Sequence, residues 1–216
     1  MRPVRAVIFD MDGVVVDSES RHELAFLETV AEIGYADRHG IHYPDYVGRS
    51  DLELWVDFLK RHQPGHTLEE LLAMKRQRVV NIILRDQPLF PGLPELIAQL
   101  AACYPLGLAS GSERQVVDAV LQLRNLRRFF SVTVSCSEVK HGKPAPDIFL
   151  HAAQLLGVPP AECCVIEDST AGVAAGLAAG MEVIAITNTY PAPELAPAQH
   201  VVSRYPQIAQ LLLNSK

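Results

Sequence analysis

The sequence predicts an α/β protein, a doubly wound parallel sheet of Rossmann-like plan interrupted early by an all-helical insert. Three observations predict it. From residue 91 onward, short β-branched runs alternate with helical patterns, as parallel strands joined by right-handed helical crossovers require. One further run of the strand type, "VRAVIF", stands by itself near the start. Between the two, residues 17–88 carry helical periodicity and no strand pattern. The expected division is therefore 1–16 with 89–216 for the sheet, and 17–88 for the insert.

The elements follow in order. "VRAVIF" is a buried strand that stops at Asp10, where acidic and glycine residues make a loop. Ser20 and Glu23 have capping-box spacing and open a helix through Leu24, Leu27, Val30 and Ala31 toward Gly34. Ser50 and Glu53 repeat the box ahead of Leu52, Trp55, Val56 and Leu59, and Thr67 with Glu70 opens a third helix running toward Leu84. "DQPLFPG" leads back to the sheet, its prolines interrupting helix. A helix over 93–103 precedes strand "LGLAS", and Ser112 with Gln115 opens the next helix. Strand "SVTVS", a helix from Pro146 to Gly157, strand "CCVIE", a helix from Ser169 to Gly180 and strand "EVIAIT" complete the alternation. "HVVS" adds an edge strand and "YPQIAQLLL" a last helix.

Composition narrows the functional classes. A chain of 216 residues, 49% hydrophobic and 20% charged, has the material for a packed core and lacks the profile of disorder. A formal charge of -6 opposes nucleic acid and anionic membrane as partners. No apolar run approaches the roughly 20 residues of a membrane span, and the expected location is cytoplasmic. The four cysteines lack zinc-site spacing and read as buried thiols. Gly172, Gly176 and Gly180 lack the dinucleotide-binding spacing and read as close packing of a helix on the sheet. Lys75, Arg76 and Arg78, like Arg124, Arg127 and Arg128, read as solvated faces.

In an open parallel sheet, ligands bind beyond the carboxyl ends of the strands. Asp10 and Asp12 follow the first strand, Ser110 and Gly111 the second, Glu167 and Asp168 the fourth, and "KHGKPAPD" offers Lys143 on a loop. Four carboxylates gathered in one crevice repel unless a cation holds them ionised. A hard divalent ion, Mg2+, answers that need, with Asp10 and Asp168 as direct ligands. A phosphoryl group can then approach Asp10 as nucleophile, while Asp12, on the same side of an extended segment, serves the leaving oxygen as acid and base. Ser110 and the amides around Gly111 and Ser112 would bind phosphoryl oxygens, and Lys143 would supply fixed positive charge.

"FDMDGVVVDS", "LASGS", "GKPAPD" and "VIEDSTAGVAAGLAAGM" together resemble the four ordered motifs of the haloacid dehalogenase-like hydrolases, in their phosphatase and beta-phosphoglucomutase branch. The resemblance covers almost the whole chain and implies that residues 17–88 form the cap that this branch inserts. It implies Asp10 as nucleophile, and Asp12 as acid/base and as metal ligand through its carbonyl. It implies Asp168 as metal ligand, Glu167 in or beside the metal shell, and Ser110 and Lys143 on the phosphoryl group. Asp12 argues against dehalogenase activity, since dehalogenases lack that second aspartate. By the same resemblance His22 and Arg49 face the substrate from the cap. The activity implied is Mg2+-dependent hydrolysis of a small phosphorylated metabolite. A sugar phosphomutase is the alternative, and a non-catalytic binding protein on this fold a remote one. The mutase pattern places an arginine directly after the cap-loop serine; here Asp51 follows Ser50. Oligomeric state is not legible in the sequence.

Overall fold

The structure, a computed structural model, describes residues 3–46 and 51–214. The chain divides into two compact units, Ser18–Gln87 and the pair of segments flanking it.

The flanking segments form one sheet of six parallel strands: β1 (Ala6–Phe9), β2 (Leu106–Ala109), β3 (Phe130–Val134), β4 (Cys163–Glu167), β5 (Glu182–Ile186) and β6 (His200–Val202). Their order is β3-β2-β1-β4-β5-β6. The chain winds outward one way from β1 through β2 to β3, then crosses back to β4 and winds the other way. The switch point therefore lies between β1 and β4, which pair from Ala6↔Cys163 to Phe9↔Ile166. All residues of β1, β2, β4 and β5 are buried, because both sheet faces are covered. On one face Ala6, Ile8, Val165 and Val183 join a cluster with Ile148, Phe149, Ala152 and Val173. Those four come from α6 (Asp147–Leu156) and α7 (Thr170–Ala178). The alternate residues Val7, Phe9, Leu108 and Ile184 are fully buried too, on the opposite face. The unit is completed by α4 (Leu93–Ala101), α5 (Arg114–Gln122), α8 (Ala192–Leu195) and α9 (Tyr205–Leu213).

The helical unit holds α1 (Glu19–Glu32), α2 (Asp51–Arg61), α3 (Leu68–Asp86) and a 3-10 turn at Tyr43–Tyr46. Its own core gathers Phe26, Val30, Tyr43, Leu54, Trp55, Phe58 and Leu71. Phe26 and Phe58 lie 5.3 and 5.4 Å from the Trp55 ring, and each buried aromatic contributes on the order of 2 kcal/mol. Thr67 and Glu70 form the expected capping box on α3.

Several local expectations are corrected. The cap of α1 is Ser18, so Ser20 and Glu23 lie within the helix. The expected α1 face fails at Leu24 and Leu27, which are exposed, while Ala25, Phe26, Thr29 and Val30 are buried. In α2 the buried residues are Leu54, Trp55 and Phe58, and Leu52 is exposed. In both helices an aromatic residue sets the inward face, having the most apolar area to bury. Ser50, the expected cap of α2, lies outside the described residues. The cap of α5 is Glu113 rather than Ser112. Gly172 and Gly176 do press α7 onto the sheet; a Cβ on Gly176 would stand 2.7 Å from a Val183 methyl. Gly180 instead turns the chain at φ +76 beside open space. Of the cysteines only Cys163 and Cys164 are buried; Cys103 is exposed and Cys136 half-exposed. Lys75 is no solvated lysine: it is fully buried, because an Asp51 carboxylate accepts from its ammonium and the Tyr43 ring lies 5.7 Å away.

Candidate active site

The carboxyl ends of β1, β2 and β4 carry the chemistry. The Asp10 amide continues the β1–β4 ladder by donating to the Ile166 carbonyl at 2.9 Å, and the Ser110 amide donates to Val134 at 3.0 Å. Asp10, Ser110 and Glu167 are thereby fixed by backbone pairing before any side-chain contact. Past Asp10 the chain turns tightly, with the Val15 amide donating to the Met11 carbonyl at 2.7 Å. Gly13 sits in this turn at φ +77, where a Cβ would stand 1.8 Å from an Asp168 oxygen. Only glycine serves both demands.

Asp10, Glu167 and Asp168 are buried and offer oxygens all within 4.8 Å of one another. Lys143 bridges two of them, donating to Asp10 at 2.5 Å and to Glu167 at 2.6 Å. The second Glu167 oxygen accepts from the Asp168 and Ser169 amides at 2.8 Å and from the Ser169 hydroxyl at 2.9 Å. Gly172 permits this, since a Cβ there would overlap the Glu167 carboxylate. Asp12 is half-buried, and its Oδ2 accepts from the hydroxyls of Ser110, at 3.2 Å, and Ser112, at 2.8 Å. Gly111 is the exposed residue between these serines.

Electrostatics follow from the crowding. Burial pushes the Asp10 carboxyl well above the usual carboxylate range; Lys143 opposes this, while Glu167, Asp168 and Asp12 add to it. Burial and Glu167 push Asp168 up to about 8, against a hydrogen bond from Thr189. Burial alone would lower Lys143, but Asp10 and Glu167 outweigh it and raise the ammonium above its ordinary range. One ammonium serves three buried carboxyls, so the cluster has negative charge in excess. That donor set fits a hard divalent cation, which prefers carboxylate oxygen and relieves the repulsion.

Asp10, Asp12, Ser110, Ser112, Lys143, Glu167 and Asp168 are thus brought together. His22 is half-buried in α1 of the helical unit. Arg49 lies outside the described residues. The sequence reading passed over "TNT" after β5: Thr189 supports Asp168. Asn188 donates to the Gly13 carbonyl at 2.7 Å and to the Tyr205 hydroxyl at 2.9 Å. Tyr205 in turn donates to the Val14 carbonyl at 2.7 Å. Polar residues at a fifth strand's carboxyl end were the available signal.

Comparison with known proteins gives the family. The sequence profile of the haloacid dehalogenase-like hydrolases matches residues 4–180. Hexitol phosphatase B of Escherichia coli is 34% identical over 196 residues, 89% of this chain and 86% of that protein. The crystal structure of CbbY from Rhodobacter sphaeroides, in complex with xylulose-(1,5)bisphosphate, is similar at TM-score 0.82 and 28% identity, over 94% of this chain and 95% of that one. Beta-phosphoglucomutase from Clostridium difficile is similar at TM-score 0.79 and 25% identity, over 98% and 96% of the respective chains. The chain belongs to the haloacid dehalogenase-like hydrolases, on the branch that holds phosphatases and beta-phosphoglucomutases.

Proposed function

We propose that the protein is a Mg2+-dependent phosphatase of small phosphorylated metabolites, a sugar phosphate or short phosphorylated acid, working through an aspartyl-phosphate on Asp10. The observation that carries this reading is the convergence of Asp10, Asp12, Lys143, Glu167 and Asp168 at the switch point of the sheet. Hexitol phosphatase B, among the relatives, is named for phosphate removal from a small polyol, which supports the substrate class.

Asp10 attacks phosphorus, and its carboxylate oxygen forms the new bond as the ester P–O bond breaks. Asp12 gives its proton to the leaving oxygen, then takes one from the water that hydrolyses the phosphoenzyme. Lys143, Ser110 and the amides of Gly111 and Ser112 hold the phosphoryl oxygens. Asp10, Asp168 and the Asp12 carbonyl would hold magnesium, which when bound supplies the positive charge that lets a phosphate approach a carboxylate. Glu167, with both oxygens engaged by donors, stands beside that shell and fixes Lys143. The helical unit acts as the cap, with His22 and Arg49 on the non-reacting part of the substrate. A mutase is disfavoured because the residue after Ser50 is Asp51, a carboxylate where the mutase pattern has an arginine to hold a distal phosphate.

A phosphate-release screen over phosphorylated metabolites with magnesium, with Asp10→Asn as the blank, tests the reading. Turnover by that blank, or undiminished turnover in excess chelator, would refute it. Glucose 1-phosphate with a trace of glucose 1,6-bisphosphate separates the alternatives: rapid glucose 6-phosphate without free phosphate makes the protein a mutase.

A further inference from the structure

Lys143 and Phe149 belong to one stretch of chain, "GKPAPDIF", in which the loop carries the lysine and the first turn of α6 carries the ring. Phe149 is fully buried in the cluster that α6 forms against the sheet, with Ile8, Ala152 and Val165. Close packing of that kind fixes where the ring stands. The Lys143 ammonium lies over its face, 4.9 Å from the ring centroid, and a cation is attracted to an aromatic face within about 6 Å. The Lys143 side chain is 13% exposed, so water screens the attraction little.

We propose that Phe149 is a positioning residue for Lys143, holding the ammonium through the face of its ring. The inference rests on the reading of Lys143 as a phosphoryl-binding group given above, and deepens it. Asp10 and Glu167 take two of the three ammonium protons. A carbonyl in place of the ring would claim the third, and a carboxylate there would also add charge to a cluster whose negative charge is already in excess. The ring does neither. It attracts the cation as a whole through its quadrupole, carries no net charge, and leaves an N–H to a phosphoryl oxygen.

The ring also keeps its hold while another partner changes. In the proposed reaction Asp10 exchanges its full charge for a bond to phosphorus, and its attraction for Lys143 falls. Glu167 and Phe149 do not react. Together they keep the ammonium beside the transferred phosphoryl group while Asp10 carries it.

The experiment places mono-, di- and trifluorinated phenylalanine at position 149 of the full chain, in wild type and in Lys143→Met. Fluorine weakens the negative face of the ring stepwise and changes its volume little. Urea unfolding of the metal-free protein gives an unfolding equilibrium constant for each chain. The trifluorinated ring should raise that constant about 2- to 30-fold more in wild type than in Lys143→Met, the range of a cation–π contact, with the other rings in order between. In saturating magnesium, kcat on the best ester of the phosphate-release screen should fall in the same order, by about 10-fold in all. The residual rate of Lys143→Met should not respond to fluorine. Phe149→Leu, apolar and without a quadrupole, gives the same comparison with Lys143→Met should the fluorinated chains not fold. Parallel stability series in the two backgrounds make Phe149 a core residue only and overturn the proposal. A kcat that ignores fluorine overturns it too, since the ring would then hold an ammonium whose place does not matter. If wild type releases phosphate from no ester, the phosphatase reading falls, and the stability series still decides whether the ring holds the lysine.

Discussion

Among the described residues each unit draws a lysine out of solvent, Lys75 fully and Lys143 in large part, and the two are handled differently. Lys143 meets two carboxylates, of side-chain exposure 7% and 0%, and its own exposure is 13%. Lys75 is fully enclosed and meets Asp51, which is 36% exposed, with an aromatic ring beside it. Desolvating an ammonium costs several kcal/mol whatever its purpose. In the helical unit the cost is offset by one charge and a ring, and the result joins α2 to α3. In the sheet unit the lysine is surrounded by more negative charge than it can neutralise. A charge balance left open marks a candidate functional site. The surplus, rather than the burial, is what distinguishes a site from a strut.

That contrast can be broken in four ways. Lys143→Ala should lower kcat/KM by about 10²- to 10³-fold, the effect of removing one preorganised donor from a developing charge; steady-state kinetics in saturating magnesium checks it. Asp51→Asn should destabilise the helical unit by about 3 kcal/mol or more, because it leaves the Lys75 ammonium buried without a counter-charge. Urea unfolding monitored at Trp55, the one tryptophan of the chain, reports it. Lys75→Met should fall within about 1 kcal/mol of wild type or exceed it, since a buried ion pair replaced by apolar volume is seldom missed. Were Asp51→Asn harmless, Lys75 would not depend on its partner and the contrast would fail.

The smallest effect is in the metal-free protein. Asp168 is raised from 3.8 to about 8, so between those values the folded chain holds a proton that the unfolded chain has released. Stability from this group is complete below about pH 4 and is lost as pH rises through about 8, with a slope of at most about 1.4 kcal/mol per pH unit. Asp10 is shifted in the same direction. Lys143 is raised above its ordinary value and loses its contribution only in strong alkali. Melting temperature in chelator should therefore decline from pH 5 to pH 8, and excess magnesium should flatten the decline. A flat profile without metal would show that the carboxyls are not crowded.

The sheet unit was legible because each strand ends where a backbone rule places a polar group. "CCVIE" is β4 residue for residue, and α6 ends against Gly157 as expected. The residues of the candidate site could be grouped because strand ends converge, and topology does the assembling. The helical unit was less legible. Thr67 with Glu70 marked α3 correctly, but Leu24, Leu27 and Leu52 were assigned to the core by spacing alone, and aromatic neighbours took those places. Lys75 was misread for a related reason: its partner Asp51 is 24 residues away, and no local pattern announces a pair made by packing. Ser112 illustrates the same limit inside the site, since capping spacing to Gln115 masked a hydroxyl aimed at Asp12. Asn188 and Tyr205 were missed because they act on the loop after β1 from the far end of the sequence, and Thr189 because its partner is Asp168 after β4.

That last arrangement bears on how the site comes into being. The bond from Tyr205 to Val14 spans 191 positions and that from Asn188 to Gly13 spans 175. Closing a loop of such length is entropically slow and yields nothing until its two ends meet. During synthesis β1 leaves the ribosome early, yet the turn that follows Asp10 receives its bonds from Asn188 and Tyr205 only once the last elements have been made. Nascent chains halted before α9 should contain Asp10 and lack turnover, and activity should rise abruptly once that helix is released.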